Sequence, residues 1–221
     1  MDQKTQLCEG LDRLEIPWSQ DQLKLLLRYR DELLLWNPTH GLIGGEGGSR
    51  ETPSDLIPRH FLDSLAPWTI LRLLSFKTLL DVGSGAGFPG IPLALFFPEA
   101  RVVLVEKQKR RCDFLKNVVA LLGLATRVRI EQRAMENLTE TFDLVTLRAF
   151  AALPRVYGEL KRLTTPGGKI AAYKGTLENG QEEMEGLKGL GESPEGMTLT
   201  PLKVPFLDAE RHLLIVDPWI S

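Results

Sequence analysis

The chain has 221 residues and a formal net charge of −2, with 43% hydrophobic and 25% charged residues. This composition is typical of a globular protein and excludes a surface that is basic throughout, so a nucleic-acid partner would meet local basic patches. The apolar runs are too short to span a membrane, the N-terminus is polar, and Cys8 and Cys112 have neither metal nor redox spacing. We therefore expect a cytoplasmic protein without a membrane segment or a signal peptide.

Residues 1–74 are predicted to be helical. Ser19 and Gln22 have the spacing of a capping box, and the helix that begins there is predicted to end at Asn37-Pro38. Further predictions in this region are a glycine-rich loop at 41–53, a helix at about 54–64 and a new helical start at Pro67. Because no strand pattern interrupts these residues, we predict a helical N-terminal cap packed on a second domain, residues 75–221.

From residue 77 onward, strands alternate with helices. The predicted strands are 78–82, 102–105, 127–131, 142–147, 170–173, 198–205 and 212–216. The predicted helices are 91–97, 109–122 and about 153–163, with a turn at 166–168 and one poor helix and a loop across 178–196. The alternation predicts a doubly wound, Rossmann-like α/β sheet of seven mostly parallel strands, and the last two strands predict an antiparallel hairpin at its edge.

The first of these strands runs into a glycine-rich turn, residues 83–90, which contains four glycines. Glycine adopts positive φ without strain and leaves no Cβ atom between the backbone and a ligand. Glu106 follows the second strand, at the distance along the chain where an acidic residue accepts the hydroxyls of a ribose. The combination predicts a nucleoside-containing cofactor bound across the carboxyl ends of the parallel strands.

Two cofactor classes compete for this turn. Gly85, Gly87 and Gly90 formally match G-x-G-x-x-G, the fingerprint of NAD-binding oxidoreductases. In that motif the first glycine follows the strand almost at once, which is Gly83 here, and the spacing then requires a glycine where Phe88 stands. The form Asp-Val-Gly-x-Gly-x-Gly looks instead like motif I of S-adenosylmethionine-dependent methyltransferases, whose architecture also has five parallel strands and a terminal hairpin.

Other segments extend the resemblance to one family. They are the extended motif at 83–92, Arg59-His60-Phe61-Leu62-Asp63-Ser64-Leu65, Leu147-Arg148-Ala149, Lys174-Gly175 and Glu210-Arg211-His212-Leu213. Together they resemble the bacterial 16S rRNA guanine-N7 methyltransferase G family, also called glucose-inhibited division protein B, over residues 36–216. The resemblance implies methyl transfer from S-adenosylmethionine to N7 of a guanine in the helix 18 loop of 16S rRNA, with 16S rRNA or the 30S subunit as partner.

The resemblance also implies roles for single residues. Those implied to bind the cofactor are Gly83, Gly85, Phe88, Glu106, Ala134, Met135 and Arg148. Glu106 is implied to bind the ribose, Ala134-Met135 to flank the adenine, and Arg148 to reach the end of the cofactor nearest the substrate. The candidates for RNA contact are Arg59, His60, Lys174, Arg211 and His212. For the pairs Arg59-His60 and Arg211-His212 the alternative is an ordinary surface feature of a helix or a strand.

The sequence departs from the family pattern at two places. Gly41-Leu42-Ile43 stands where the family usually has Asn-Leu-Thr, so no polar role is expected for that loop. Met135 stands where the adenine-flanking pair usually ends in Glu, and Glu136 follows one place later. We therefore expect backbone groups to contact the adenine edge.

The implied chemistry makes modest demands on the protein. Guanine N7 carries a lone pair and no proton, so the attack needs no general base, and the task of the enzyme is orientation and desolvation. Leu147-Arg148-Ala149-Phe150 stands where amino-group methyltransferases carry an Asp/Asn-Pro-Pro-aromatic segment. Core packing is the favoured interpretation for Cys112, and also for Phe150, although stacking of Phe150 on a flipped guanine stays open.

Three alternatives stay open at this level. One is a methyltransferase of the same fold that acts on a small molecule or a protein, another is an NAD-binding oxidoreductase, and the third is a non-catalytic ribosome-assembly factor. The histidines, His40, His60 and His212, lack ligand spacing, so we expect no metal, and we expect a monomer. The densest basic run is Lys107, Lys109, Arg110 and Arg111. It forms either a solvated helix face or a border of the RNA path.

Overall fold

A seven-stranded sheet forms the centre of the computed structural model, which describes residues 1–44 and 55–220. Its strands are β1 (Thr78–Val82), β2 (Arg101–Val105), β3 (Val128–Glu131), β4 (Phe142–Arg148), β5 (Thr164–Lys174), β6 (Met197–Leu202) and β7 (Arg211–Val216). Their order is β3-β2-β1-β4-β5-β7-β6. Strands β1 to β5 pair in parallel, and β7 runs antiparallel to β5 and β6. The predicted Rossmann-like α/β fold with its terminal hairpin is confirmed.

Helices cover both faces of this sheet and form the N-terminal region. The α-helices are α1 (Gln3–Arg13), α2 (Gln20–His40), α3 (Asp63–Leu65), α4 (Trp68–Leu71), α5 (Gly90–Phe96), α6 (Lys109–Leu121), α7 (Leu153–Arg162) and α8 (Leu177–Gly189). Short 3₁₀ turns lie at Met135–Asn137 and Pro194–Gly196, and a π-helix spans Ile57–Leu62. Most predicted boundaries lie within two residues of the observed ones, because the apolar periodicity and the glycine and proline punctuation agree there.

Helix α2 begins as predicted and ends later. Ser19 accepts a hydrogen bond from the backbone of Gln22 and the Gln22 side chain accepts one from Ser19, so the capping box is present. The predicted end at Asn37-Pro38 is wrong, because the helix continues to its C-cap at Gly41, whose φ is 56°. Proline removes only one backbone donor in the last turn, and the Asn37 carboxamide accepts from the next loop, at Leu42.

The segment before the sheet also differs from its predicted form. The predicted helix at about 54–64 is a π-helix over Ile57–Leu62, in which the Asp63 N–H donates to the carbonyl of Pro58, followed by the single turn of α3. Residues 45–54, which include most of the predicted glycine-rich loop, lie outside the described residues. Pro67 caps the short helix α4, as expected.

Strand β5 is longer than predicted, because the predicted turn at 166–168 lies inside it. Phe142 of β4 pairs with Thr164, and the next pair is Leu144 with Lys169, so the extra residues of β5 form a bulge. Gly167, at φ 83°, supplies the conformation that this bulge needs. Strand β6 ends at Leu202, three residues before the predicted end at 205.

The sheet has a hydrophobic cluster on each face. One cluster joins β1 and β2 to the N-terminal helices and includes Leu7, Leu26 and Leu104. The other packs α7 and α8 on the opposite face and includes Leu160 and Leu187. The chain reverses direction along the sheet between β1 and β4, and ligands of open α/β sheets bind at the carboxyl ends of the strands next to such a reversal.

Candidate active site

The turn after β1 takes its shape from glycine. Gly83, Gly85 and Gly87 have φ values of 69°, 58° and 98°, which side chains of L-residues rarely adopt. The N–H groups of Gly83 and Ser84 donate to the carbonyl of Val105 at 2.9 and 3.0 Å. These bonds hold the turn against the end of β2, so that it closes over the carboxyl ends of two neighbouring strands.

One part of this turn is open and another is covered. A Cβ atom built on Gly85 meets nothing nearer than the carbonyl oxygen of Gly83, at 3.8 Å. A Cβ atom built on Gly83 would lie 2.3 Å from the ring of Phe150. Phe150 follows Ala149, which has the left-handed φ of 49°, and this conformation directs the loop after β4 back over the turn. A ligand therefore has free access at Gly85 and meets Phe150 at Gly83.

Glu106 lies beside the open part of the turn. The residue is only 6% exposed. Its carboxylate accepts hydrogen bonds from the backbone N–H of Gly85 at 3.0 Å and of Gln108 at 2.8 Å. The guanidinium of Arg111 lies 3.6 Å away. A carboxylate fixed in this way next to an open glycine turn suits the vicinal hydroxyls of a ribose. The hydrogen-bond acceptor at Glu106 therefore fits the predicted nucleoside.

Asp81, the acid that leads into the turn, is completely buried. It accepts hydrogen bonds from the backbone of Gly90 and the hydroxyl of Thr146, both at 3.1 Å. Burial raises the pKa of Asp81 from 3.8 to about 6, against these bonds and the positive charge of Arg148, which lower it. The side chain joins β1, β4 and the start of α5 directly below the turn.

A second part of the site is a cleft of about 750 Å³ at the carboxyl ends of β4 and β5. Its lining includes the loop after β4, the π-helix, the end of β5, the start of β7 and one face of α8. Its charged lining residues are Arg59, Asp63, Arg148, Lys174, Glu182, Glu183 and Arg211. Phe150 lines the cleft as well as covering Gly83, so the cleft adjoins the glycine turn at this side chain.

Asp63 joins the two arginines of this cleft. Its Oδ2 accepts from Arg148 at 2.8 Å and its Oδ1 accepts from Arg211 at 3.0 Å. Arg148 also donates to the backbone carbonyl of Arg59, at 3.1 Å, lies 3.2 Å from Nδ1 of His60, and stacks over Phe88. Residues predicted separately from the sequence are thus held together by an aspartate that the sequence analysis did not single out.

The other predicted RNA contacts have defined partners. Lys174 forms an ion pair of 2.5 Å with Glu183 of α8, and both side chains are largely buried. His212 shares a hydrogen bond of 2.9 Å with the carbonyl of Gly175, and it is buried. The structure therefore brings Lys174 into the cleft with Arg59, His60 and Arg211, whereas His212 is not among the residues that line it.

Two residues implied to bind the cofactor, Phe88 and Met135, are buried, and Ala134 beside them is half-buried. Phe88 is buried in an aromatic cluster with Tyr29, at 5.1 Å between ring centroids, and Phe61, at 5.2 Å. Met135 is buried at the start of a 3₁₀ turn after β3, next to Ala134. Ala134 and Met135 follow the strand that adjoins β2, so they lie on the same edge of the sheet as Glu106.

Cys112 is packed in the protein core. Its thiol is buried and contacts the carbonyl of Glu106, and burial raises its pKa. Core packing is thereby confirmed for this residue.

Within residues 1–44 and 55–220, no cluster of three or more His, Cys, Asp and Glu side chains has the arrangement of a metal site. None of the helices described has the length and apolar character needed to cross a membrane.

The fold and the glycine turn define a Rossmann-like, S-adenosylmethionine-dependent methyltransferase. Among solved structures the chain is similar to an O-methyltransferase from Bacillus cereus in complex with SAH, with a TM-score of 0.60 and 16% identity, over 94% of this chain and 95% of that one. The model of the GidB family, rRNA small subunit methyltransferase G, matches residues 22–214. The chain belongs to this family.

Two relatives support the assignment over nearly the whole length. Ribosomal RNA small subunit methyltransferase G of Acinetobacter baumannii (strain SDF) is 36% identical over 216 residues, or 96% of each chain. The protein of the same name from Alkalilimnicola ehrlichii is 38% identical over 210 residues, or 94% of this chain and 89% of that one. The family predicted from the motifs is confirmed, and the glycine turn is that of a methyltransferase and not of an NAD-binding oxidoreductase.

Proposed function

We propose that the protein transfers a methyl group from S-adenosylmethionine to N7 of a guanine in the helix 18 loop of 16S rRNA. The family membership supports rRNA of the small subunit as substrate. The observation that carries the proposal is the position of Phe150, at which the open glycine turn adjoins a cleft lined by Arg148 and Arg211. A cofactor on the turn and a nucleotide in the cleft would meet there.

The residues proposed to hold the cofactor lie along the ends of β1, β2 and β3. Gly85 leaves room for the cofactor, Gly83 contacts its methionine end beside the ring of Phe150, and Glu106 accepts the ribose hydroxyls in addition to the backbone bonds that hold it. Ala134-Met135 flanks the adenine, and Phe88 supports the turn from below. The bound cofactor supplies an electrophilic methyl group on a sulfonium. Arg148 lies at the side of the turn that faces the cleft.

The chemistry of guanine N7 suits a site of this kind. The ring nitrogen attacks with its own lone pair, so no group of the protein has to remove a proton. The cleft offers arginine and lysine side chains held by carboxylates, which orient a nucleotide and exclude water. Orientation of two reactants accounts for a large part of many enzymatic accelerations, about 7–11 kcal/mol at most.

Arg59, His60, Lys174, Arg211 and His212 are proposed to contact the RNA or to support such contacts. Three of them combine a positive charge with a place in the cleft: Arg59, Lys174 and Arg211.

We further propose that the protein acts as a monomer in the cytoplasm. The exposed basic residues at the start of α6 follow Glu106 and border the same edge of the sheet.

The test is methyl transfer from tritiated S-adenosylmethionine to 30S subunits and to naked 16S rRNA from a strain that lacks the modification. Labelled rRNA is then cleaved chemically at N7-methylguanine and the position is mapped. We expect incorporation at one guanine of the helix 18 loop. Tight cofactor binding without transfer to either RNA, or transfer to another atom, contradicts the proposal.

A further inference from the structure

Asp63 occupies an unusual position among the charged groups of the cleft. It is 3% exposed and has one carboxylate oxygen on each arginine, Arg148 at 2.8 Å and Arg211 at 3.0 Å. The three residues come from separate parts of the chain: the junction of the π-helix with α3, the end of β4 and the start of β7. One carboxylate thus fixes two guanidinium groups side by side.

The two arginines keep hydrogen-bonding capacity beyond these ion pairs. Among the described residues, Arg148 also donates to the carbonyl of Arg59 and lies 3.2 Å from Nδ1 of His60, and Arg211 donates to the carbonyl of Glu210 at 2.8 Å. A guanidinium carries more N–H donors than these bonds use, arranged in a planar fork that matches a phosphate. Two cations on one anion also leave a net positive charge, which a second anion from outside can balance.

We propose that Asp63 is a positioning residue that makes Arg148 and Arg211 act as one unit on a phosphodiester group of the substrate. The proposal rests on the proposed function, because it takes RNA as the ligand of the cleft. Asp63 itself does not touch the RNA. It holds both guanidinium groups in the orientation in which a nucleotide is brought up to the glycine turn.

An alternative role for Asp63 is purely structural, since removing one partner of a buried ion pair leaves the other charge uncompensated and destabilises a protein. The two roles predict different results. A structural role lowers the rate in proportion to the unfolded fraction. A positioning role lowers the rate of the folded enzyme, while RNA affinity changes little because both positive charges remain.

The experiment compares Asp63→Asn, Asp63→Glu and the control Glu185→Gln, an exposed residue of α8 that does not line the cleft and whose change removes the same negative charge. Folded fraction is measured by urea unfolding, cofactor affinity by calorimetry with S-adenosylhomocysteine, and RNA affinity by fluorescence anisotropy with a helix 18 hairpin. The rate is measured in a single turnover at saturating RNA. These readouts separate folding, cofactor binding, RNA binding and catalysis.

We expect D63N to lower the single-turnover rate about 100-fold, with SAH and RNA affinities within about threefold of the original chain. D63E restores part of the rate, because it keeps the carboxylate, and E185Q leaves the rate unchanged. The double variant that combines D63N with Arg211→Gln should have the same rate as R211Q alone, because either change already uncouples the arginine pair.

Wild-type rates in D63N, or additive losses in the double variant, overturn the positioning role. If D63N does not fold, the same comparison is made with R148Q, R211Q and their combination, where additive effects overturn it. A wild-type chain that methylates no RNA contradicts the proposed function together with this role. A wild-type chain that does so, beside an equally fast D63N, contradicts the positioning role alone.

Discussion

Gly83 combines two constraints that exclude a side chain. Its backbone lies at φ 69°, and the ring of Phe150 would lie 2.3 Å from a Cβ atom there. Gly123 shares the first constraint, with φ 67°, but a Cβ atom on it meets nothing within 4 Å. Substitutions at the two positions can therefore be compared. Both introduce backbone strain, but only the one at Gly83 also introduces a steric clash in the turn.

We predict that Gly83→Val abolishes binding of S-adenosylhomocysteine, because a β-branched side chain fills the turn. Calorimetry measures the affinity. Gly123→Val is the matched control, and it should cost about 1–2 kcal/mol of stability without changing the affinity. An unchanged affinity in the Gly83 variant contradicts a cofactor on this turn.

Asp81 makes stability depend on pH in the opposite sense to most carboxylates. Burial raises its pKa to about 6 from 3.8, so the folded state binds the proton more tightly than the unfolded state. Its contribution to stability is therefore greatest below about pH 4, falls as the pH rises to about 6, and is constant above that value.

We predict that Asp81→Asn removes this dependence. The amide can donate to the Thr146 oxygen while its carbonyl accepts from Gly90, so the contacts survive. Relative to the original chain, the variant gains up to about 3 kcal/mol between about pH 4 and 7, from the two-unit pKa difference. Urea unfolding at several pH values measures the change. Asp208→Asn, in an exposed loop, is the control, and an equal pH response in both variants contradicts the prediction.

At the scale of elements, helix α2 supports the cofactor turn from the N-terminal region. The hydroxyl of Tyr29 donates to the carbonyl of Ala86, and its ring stacks on Phe88. Tyr29 is completely buried, so this hydrogen bond has no competing water. Tyr173 of β5 is also buried and donates to the carbonyl of Ser64 at 2.9 Å, which is not part of the turn.

We predict that Tyr29→Phe and Tyr173→Phe each lose about 1 kcal/mol of unfolding free energy, because each leaves a buried carbonyl with one partner fewer. Only Tyr29→Phe should weaken the affinity for S-adenosylhomocysteine, severalfold, since only Tyr29 contacts the turn. Denaturant unfolding and calorimetry give the two quantities. Equal cofactor affinities in the two variants would show that α2 does not shape the site.

Elements with a continuous local pattern were predictable, and those that depend on distant pairing were not. Strand β1 has its predicted bounds, because a buried parallel strand appears as an apolar run that ends at the glycine turn. Strand β5 begins six residues earlier than predicted, because Pro166-Gly167-Gly168 has the local signal of a turn. In the structure these residues pair with β4 and form a bulge instead of a turn. The local sequence pattern does not indicate this pairing.

The same distinction applies to the site. The turn and Glu106 follow from spacing along a single βαβ unit. The bond between Asp63 and Arg148 joins residues 85 positions apart, and the bond between Asp63 and Arg211 joins residues 148 positions apart. Asp63 stands inside a motif that the sequence analysis quoted, yet its role depends on how three elements converge. Glu183, the partner of Lys174, comes from a stretch that appears only acidic.

At the scale of the whole molecule, the predicted cap and sheet domain share one core. The same hydrophobic cluster contains Leu11 and Leu33 from the N-terminal helices and Leu79 from β1. The cofactor turn is thus braced from one side by the N-terminal helices, while the cleft opens on the side of β4, β5 and β7. The π-helix of this N-terminal region also lines the cleft, so the region contributes both to the shared core and to the proposed RNA-contact surface.

Net charge limits how the molecule as a whole attracts RNA. The formal charge of −2 gives no long-range attraction for a polyanion, so association depends on cations near the site. Several of these are paired with carboxylates, as Lys174 is with Glu183 and Arg148 is with Asp63. RNA binding should therefore release few counterions.

We predict a shallow salt dependence for a single-stranded RNA of the helix 18 loop, with a slope of log K against log salt of about −2, which corresponds to about three phosphate contacts. Anisotropy titrations from about 50 to 300 mM salt measure it. Replacing Arg110, exposed at the start of α6, with Gln reduces the slope by about 0.7 if the basic run borders the RNA path. An unchanged slope makes that run a solvated helix face, and a salt-independent affinity contradicts phosphate contact at the cleft altogether.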